Sequence, residues 1–138
     1  MRFWSMVVLA VALLVSATPG AARTVPDLAL GQIWTLSDPA SPSVRVTIGR
    51  IEKVGDQDVV HVTLRGVPLP DGEKIEVGHM PFAAAALRGS LGSLEATNGR
   101  TARTFSQGYD YWKADHGGFY TIPVPQAIAA MVQSLASR

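Results

Sequence analysis

The chain has 138 residues, with twelve Lys and Arg against eleven Asp and Glu, a formal net charge of +1, and no cysteine. Disulfides, a cysteine nucleophile and lipid attachment at an N-terminal cysteine are thereby excluded. So even a charge balance argues against nucleic acid or an anionic membrane surface as a partner.

At the start of the chain Arg2 precedes an apolar run from Phe3 to Val15, and small residues follow through Ala22. A basic start, a short apolar region and a small-residue end make the pattern of a secretory signal peptide. The run is shorter than the roughly 18–20 residues that span a bilayer. We expect a signal peptide over 1–22, cleaved after Ala22, and a periplasmic or secreted domain over 23–138 with no stable membrane span. Loss of Arg2 leaves eleven basic against eleven acidic side chains. A chain of that length buries roughly 60–70% of its unfolded surface, enough for one core without disulfide staples.

Residues 23–30 form a lead-in in which Pro26 discourages strand pairing. Gly31 to Leu36 is a short strand, and Ser37 to Pro42 a turn. Ser43 to Val67 then holds two β-rich runs joined by Gly55-Asp56. A two-residue type II′ loop with Gly55 at positive φ sets Val54 against Gln57, Lys53 against Asp58, Ile51 against Val60 and Arg50 against His61. Val60, Val62 and Leu64 alternate onto one face. The first run alternates as Val44, Val46 and Ile48, then slips to Ile51, so a β-bulge is expected at Gly49 to bring Ile51 inward. Pro68 to Gly72 breaks the strand, and Lys74 to Val77 adds a brief edge strand.

A helix is expected from Pro81, continuing through Leu87, Leu91 and Leu94 at helical spacing. A second runs from Ser106 to about His116, with Phe105, Tyr109 and Trp112 on one side and Gly117-Gly118 as its stop. Phe119 to Val124 is a strand candidate, and Pro125 opens a last helix with the stripe Ile128, Met131, Val132 and Leu135. The fold class is therefore α+β: a small, mainly antiparallel sheet of three to five strands around the hairpin 43–67, with about three helices packed on one face. The other face, with Arg45, Thr47, Arg50, His61, Thr63 and Arg65, is expected to meet solvent or a partner.

No nucleophile elbow, P-loop or dinucleotide fingerprint occurs, and His61, His79 and His116 lack the spacing of a helical metal pair. No catalytic residue, metal or cofactor is assigned. His79, just before the helix expected at Pro81, would cap it or pack on Phe82; His116 would sit at a helix C-terminus, where a cation is favoured. The candidate contact surface is a rim of His79, Met80, Tyr111, His116 and Tyr120, with Arg50, His61 and Arg65 on the open sheet face second.

Gly31-Gln32 with Trp34, Val59-Val60-His61-Val62, Gly78 to Phe82, Tyr111-Trp112-Lys113-Ala114 and Gly118 to Val124 together resemble a group of small bacterial proteins with no established activity. The resemblance covers most of the chain after Ala22, implies a compact single domain and carries over no catalytic residue. The expected function is a non-enzymatic, inhibitor- or immunity-like binding domain of the bacterial envelope, with another envelope protein or a small ligand as partner. The rival is a small hydrolase that pairs His79 or His116 with Asp110 or Asp115.

Overall fold

Gly55 and Asp56 close the hairpin in the expected register. In the computed structural model, which describes residues 27–138, Val54 faces Gln57, Lys53 faces Asp58, Ile51 faces Val60 and Arg50 faces His61. The expected signal peptide, its cleavage point and Pro26 lie outside the described residues. Gly55 takes φ +64° and Asp56 stays at negative φ, as a type II′ turn requires. Lys53 Nζ reaches Asp58 Oδ1 at 3.0 Å, but both side chains are largely exposed, so the pair adds under about 1 kcal/mol.

The two hairpin strands are β2 (Arg45–Val54) and β3 (Gln57–Pro68). Around them lie β1 (Ile33–Leu36), β4 (Lys74–Ala83) and β5 (Leu91–Ala96), with helices α1 (Ala84–Ser90), α2 (Phe105–Ala114) and α3 (Val124–Ala136). The strands form one antiparallel sheet in the order β4-β3-β2-β1-β5. The class is α+β, with five strands and three helices, and no described helix is long and apolar enough to cross a membrane.

Val60, Val62 and Leu64 are fully buried and share a core with Leu87 of α1 and Val124 and Ala127 of α3. Each such side chain contributes about 1.5–3 kcal/mol on burial. The register slips between Ile48 and Arg50, at the expected bulge. The bulge restores the phase of Ile51 and sets it opposite buried Val60, yet Ile51 itself remains 38% exposed.

The helices do not all lie on one face. α1 and α3 cover the Val60 side, whereas α2 and the segment before it cover the other. Thr47, His61 and Thr63, expected on an open face, are buried there, and only Arg50 of that set is well exposed. Thr63 Oγ1 donates to the Gly78 carbonyl at 2.9 Å and accepts from the Ala102 N–H at 3.0 Å, tying this cover to the sheet. Gly49 permits the close approach: a Cβ there would lie 2.6 Å from Phe105 Cζ.

Three further expectations give way to tertiary pairing. Pro81 to Ala83 continue β4 instead of opening a helix, because Phe82 pairs with Val60 and is fully buried. Pro81 is tolerated since β4 is an edge strand that needs no N–H there. Leu91 and Leu94 belong to β5, where they pair with Leu36 and Trp34 of β1. With Gly89 and Gly92 flanking the break, closing the edge of β1 outweighs a weak helix extension. The strand expected over Phe119 to Val124 shrinks to one parallel bridge, Phe82 with Tyr120; Pro123 then precedes α3 as its N-cap, with Pro125 in the first turn.

Candidate functional site

The bulge rotates Arg50 and Glu52 onto the face of His61, and α2 lowers Tyr109 and Trp112 onto the same spot. Glu52 is the hub. Its Oε2 accepts from the Tyr109 hydroxyl at 2.9 Å and from Arg50 Nε at 3.3 Å, and its Oε1 lies 3.0 Å from His61 Nε2. On the far side of the His61 ring, Nδ1 lies 2.8 Å from His79 Nε2. The two imidazoles stack at 5.0 Å, Trp112 meets His61 edge-on at 4.5 Å, and the Arg50 guanidinium lies 4.4 Å over the Tyr109 ring.

Protonation follows from the chain of contacts. Burial pulls the Glu52 carboxyl upward, but hydrogen bonds from Tyr109, His61 and Arg50 and the His61 charge hold it below its ordinary value. Against an ionised carboxylate, His61 Nε2 must carry a proton, leaving Nδ1 as an acceptor. His79 Nε2 then donates to it, and His79 Nδ1 is bare. Burial lowers His61 against the pull of Glu52. Burial, reinforced by the His61 charge, pushes His79 down to about 4, so both rings are neutral at pH 7. Burial and Glu52 raise Tyr109.

This is the wiring of a proton relay, open at its Glu52 end to a shallow surface cleft and covered by α2 at its His79 end. Gly108 of α2 sits over His79, where a Cβ would come 2.8 Å from the histidine Cβ. Among the described residues no three His, Asp or Glu side chains converge on a metal-sized site. The hydrogen bonds of His61 and His79 go to Glu52 and to each other, none to Asp110 or Asp115.

The expected rim divides accordingly. His79 is half-buried under α2 within β4, so it caps no helix, and Met80 is 3% exposed in the core of the opposite face. Tyr111 is 64% exposed on α2. His116 and Tyr120 line hollows on either side of Trp112. One, a cleft of about 280 Å³, lies between Glu52 and Lys53 of the hairpin and Trp112, Lys113 and His116. The other, a groove of about 430 Å³, is lined by Pro81, Trp112, Gly118, Phe119 and Tyr120. Trp112 is fixed between them, its Nε1–H donating to the Gly118 carbonyl at 2.8 Å. Of the second expected surface, Arg50 and His61 belong to the Glu52 cluster, while Arg65 is bound to Glu76 and Thr47 away from it.

His116 also ends α2, in place of the expected glycine stop. It takes φ +49°, with its N–H on the Lys113 carbonyl and the Gly117 N–H on the Trp112 carbonyl, the two bonds of a Schellman motif. A histidine in this left-handed position costs about 1 kcal/mol relative to glycine. His116→Gly is therefore expected to stabilise the protein by about that amount, seen as a thermal midpoint about 4 °C higher. An unchanged or lower midpoint contradicts the strain.

The sequence reading missed Glu52 and the shared position of Trp112. Glu52 was within reach: the hairpin register with its bulge sets residues 50, 52 and 61 on one face.

Fold and site together define a small α+β domain whose ionisable core closes on itself beside a tryptophan-centred surface. No protein-family model, curated protein or solved structure matches the chain.

Proposed function

We propose that the chain is an exported domain of the bacterial envelope that docks onto another protein through the surface around Trp112, in an inhibitor- or immunity-like manner and without catalysis. The observation that carries this reading is the division of labour in the site. Glu52, His61, His79 and Tyr109 hold α2 to the sheet, while the exposed groups at the end of that helix frame two adjoining hollows. Aromatic side chains beside shallow pockets are the usual anchors of protein interfaces. The strained backbone of His116 at the same place is a further pointer, since such strain concentrates at functional positions. The leader-like N-terminus supports the envelope location.

A hydrolase needs its base to face a substrate cavity. His79 lines neither of the hollows beside Trp112.

A photo-crosslinking residue at Tyr111, in the full chain expressed in its host, tests the reading. One predominant protein adduct is expected, absent when the same residue replaces exposed Gln133 on α3. No adduct at Tyr111, or the same adducts from both positions, counts against docking at this surface.

A further inference from the structure

The two hollows beside Trp112 differ in charge, and the difference bears on what the partner presents. In the hairpin-side cleft the only carboxylate is Glu52, and it already accepts from Tyr109, His61 and Arg50. Facing it are Lys53, Lys113 and His116. The contact of Lys53 with Asp58 is exposed and screened by solvent. Lys113 takes part in none of the ion pairs among the described residues. The negative end of α2 is muted here, since the Trp112 and Lys113 carbonyls are occupied by the Schellman N–H groups. The cleft is therefore left with unneutralised positive charge. Across the indole, the groove of Pro81, Phe119 and Tyr120 holds no group that is charged at neutral pH.

Resting on the docking reading above, we infer that the partner is a protein segment that straddles Trp112, with a carboxylate in the Lys113–His116 cleft and an apolar or aromatic side chain in the Tyr120 groove. The indole sets the spacing between the two. The carboxylate supplies selectivity and a salt-sensitive association rate, and the apolar side chain supplies contact area. A small acid fills only the first position and lacks that area.

The full chain is titrated with labelled twelve-residue peptides of Gly and Ser that carry one Asp and one Phe at separations of one to four residues. We expect one separation to bind best. Exchange of its Asp for Asn, or of its Phe for Ala, weakens binding about tenfold, as does Lys113→Glu in the protein, whereas Lys113→Arg retains it. Raising the salt from 0.05 to 0.5 M weakens the wild type and leaves Lys113→Glu nearly unchanged. Both Lys113 variants alter an exposed side chain, and unfolding curves check that the fold persists. The inference is overturned if no separation binds, if peptides with Lys in place of Asp bind equally well, or if succinate alone competes at the peptide's own concentration. Binding that tracks self-association of the chain in sedimentation overturns it in favour of a second copy as occupant. A Tyr111 adduct indifferent to Lys113→Glu sinks the acidic partner while leaving docking intact; absence of both adduct and peptide binding removes both.

Discussion

Lowering the pH from 7 to 4 is expected to remove roughly 2–3 kcal/mol of stability, with the contact between α2 and the sheet opening first. His79 ionises at about 4 in the fold, pushed down from 6.5. Between those values the unfolded chain binds more protons than the native one, so stability rises with pH across the interval and is lost as pH falls through it. The size follows from about 1.4 kcal/mol per pH unit of displacement, discounted for the partial exposure of the ring. His61 acts in the same direction, because its value is also depressed. Glu52, held below 4.5, begins to withdraw its contribution as pH falls past 4.5 and completes the loss on further acidification. Tyr109 acts at the other end: its raised value means that stability falls again once pH climbs past 10.0, where the unfolded tyrosine ionises. A plateau between about 6.5 and 10 is thus expected.

Geometry says why α2 should move. The facing nitrogens of His61 and His79 are 2.8 Å apart, which leaves room for one hydrogen between them. A first proton can reside on the outer nitrogen of His79 with the contact kept; a second must part the rings. Gly108 and Trp112 of α2 lie directly on those rings. Urea unfolding at a series of pH values measures the slope, and hydrogen exchange corrected for intrinsic rates measures the local opening. His79→Phe should flatten the slope between pH 6.5 and 4. If that variant keeps the wild-type slope, or if α2 exchanges no earlier than α1, the histidine pair is not responsible.

The buried positions of this protein were more legible in its sequence than its surfaces. Turn chemistry at Gly55 and period-two alternation from Val60 to Leu64 are local signals, and they set the pairs from Val54–Gln57 to Arg50–His61, and the bulge beyond them, correctly. The helix boundaries were harder because two competing signals overlap. Pro81 to Leu94 carries good helical spacing, yet Phe82 gains more by pairing with Val60, and Leu91 gains more by closing the edge of β1. Such gains depend on partners distant in sequence, which a window of a dozen residues does not contain.

The site shows the same divide. A strand face with Arg50, His61, Thr63 and Arg65 reads as solvated by composition alone, because nothing local reveals that α2 returns over it. Only Gly49 and Gly108, small where helix and sheet touch, hint at the cover, and a glycine in isolation has many explanations. Once the cover is known, the polar residues beneath it become a closed hydrogen-bonded network, as buried polar groups must be. Among the described residues no buried side-chain nitrogen or oxygen lacks a partner.

That closure makes Glu52→Ala the most damaging single change at the site, with an expected loss of about 3–4 kcal/mol at pH 7.5. It strands the proton on the fully buried His61 and the hydroxyl of Tyr109, each costing about 1–3 kcal/mol, with some relief because the cleft beside Glu52 admits water. Glu52→Gln discriminates between wiring and mere packing, since it keeps the shape. Oε2 faces two donors, Tyr109 and Arg50, so the amide oxygen belongs there and the amide N–H₂ turns to His61. His61 Nε2 must then accept, its proton moves to Nδ1, and His79 Nε2 becomes an acceptor in turn. The expected result is a reversal of both tautomers, read from the imidazole ¹⁵N shifts, with a stability loss of only about 1–2 kcal/mol. Wild type should show His79 protonated at Nε2, and the variant at Nδ1. Unchanged shifts in the variant would mean that Glu52 does not set the direction of the chain, and that the two histidines are held by packing against α2 alone.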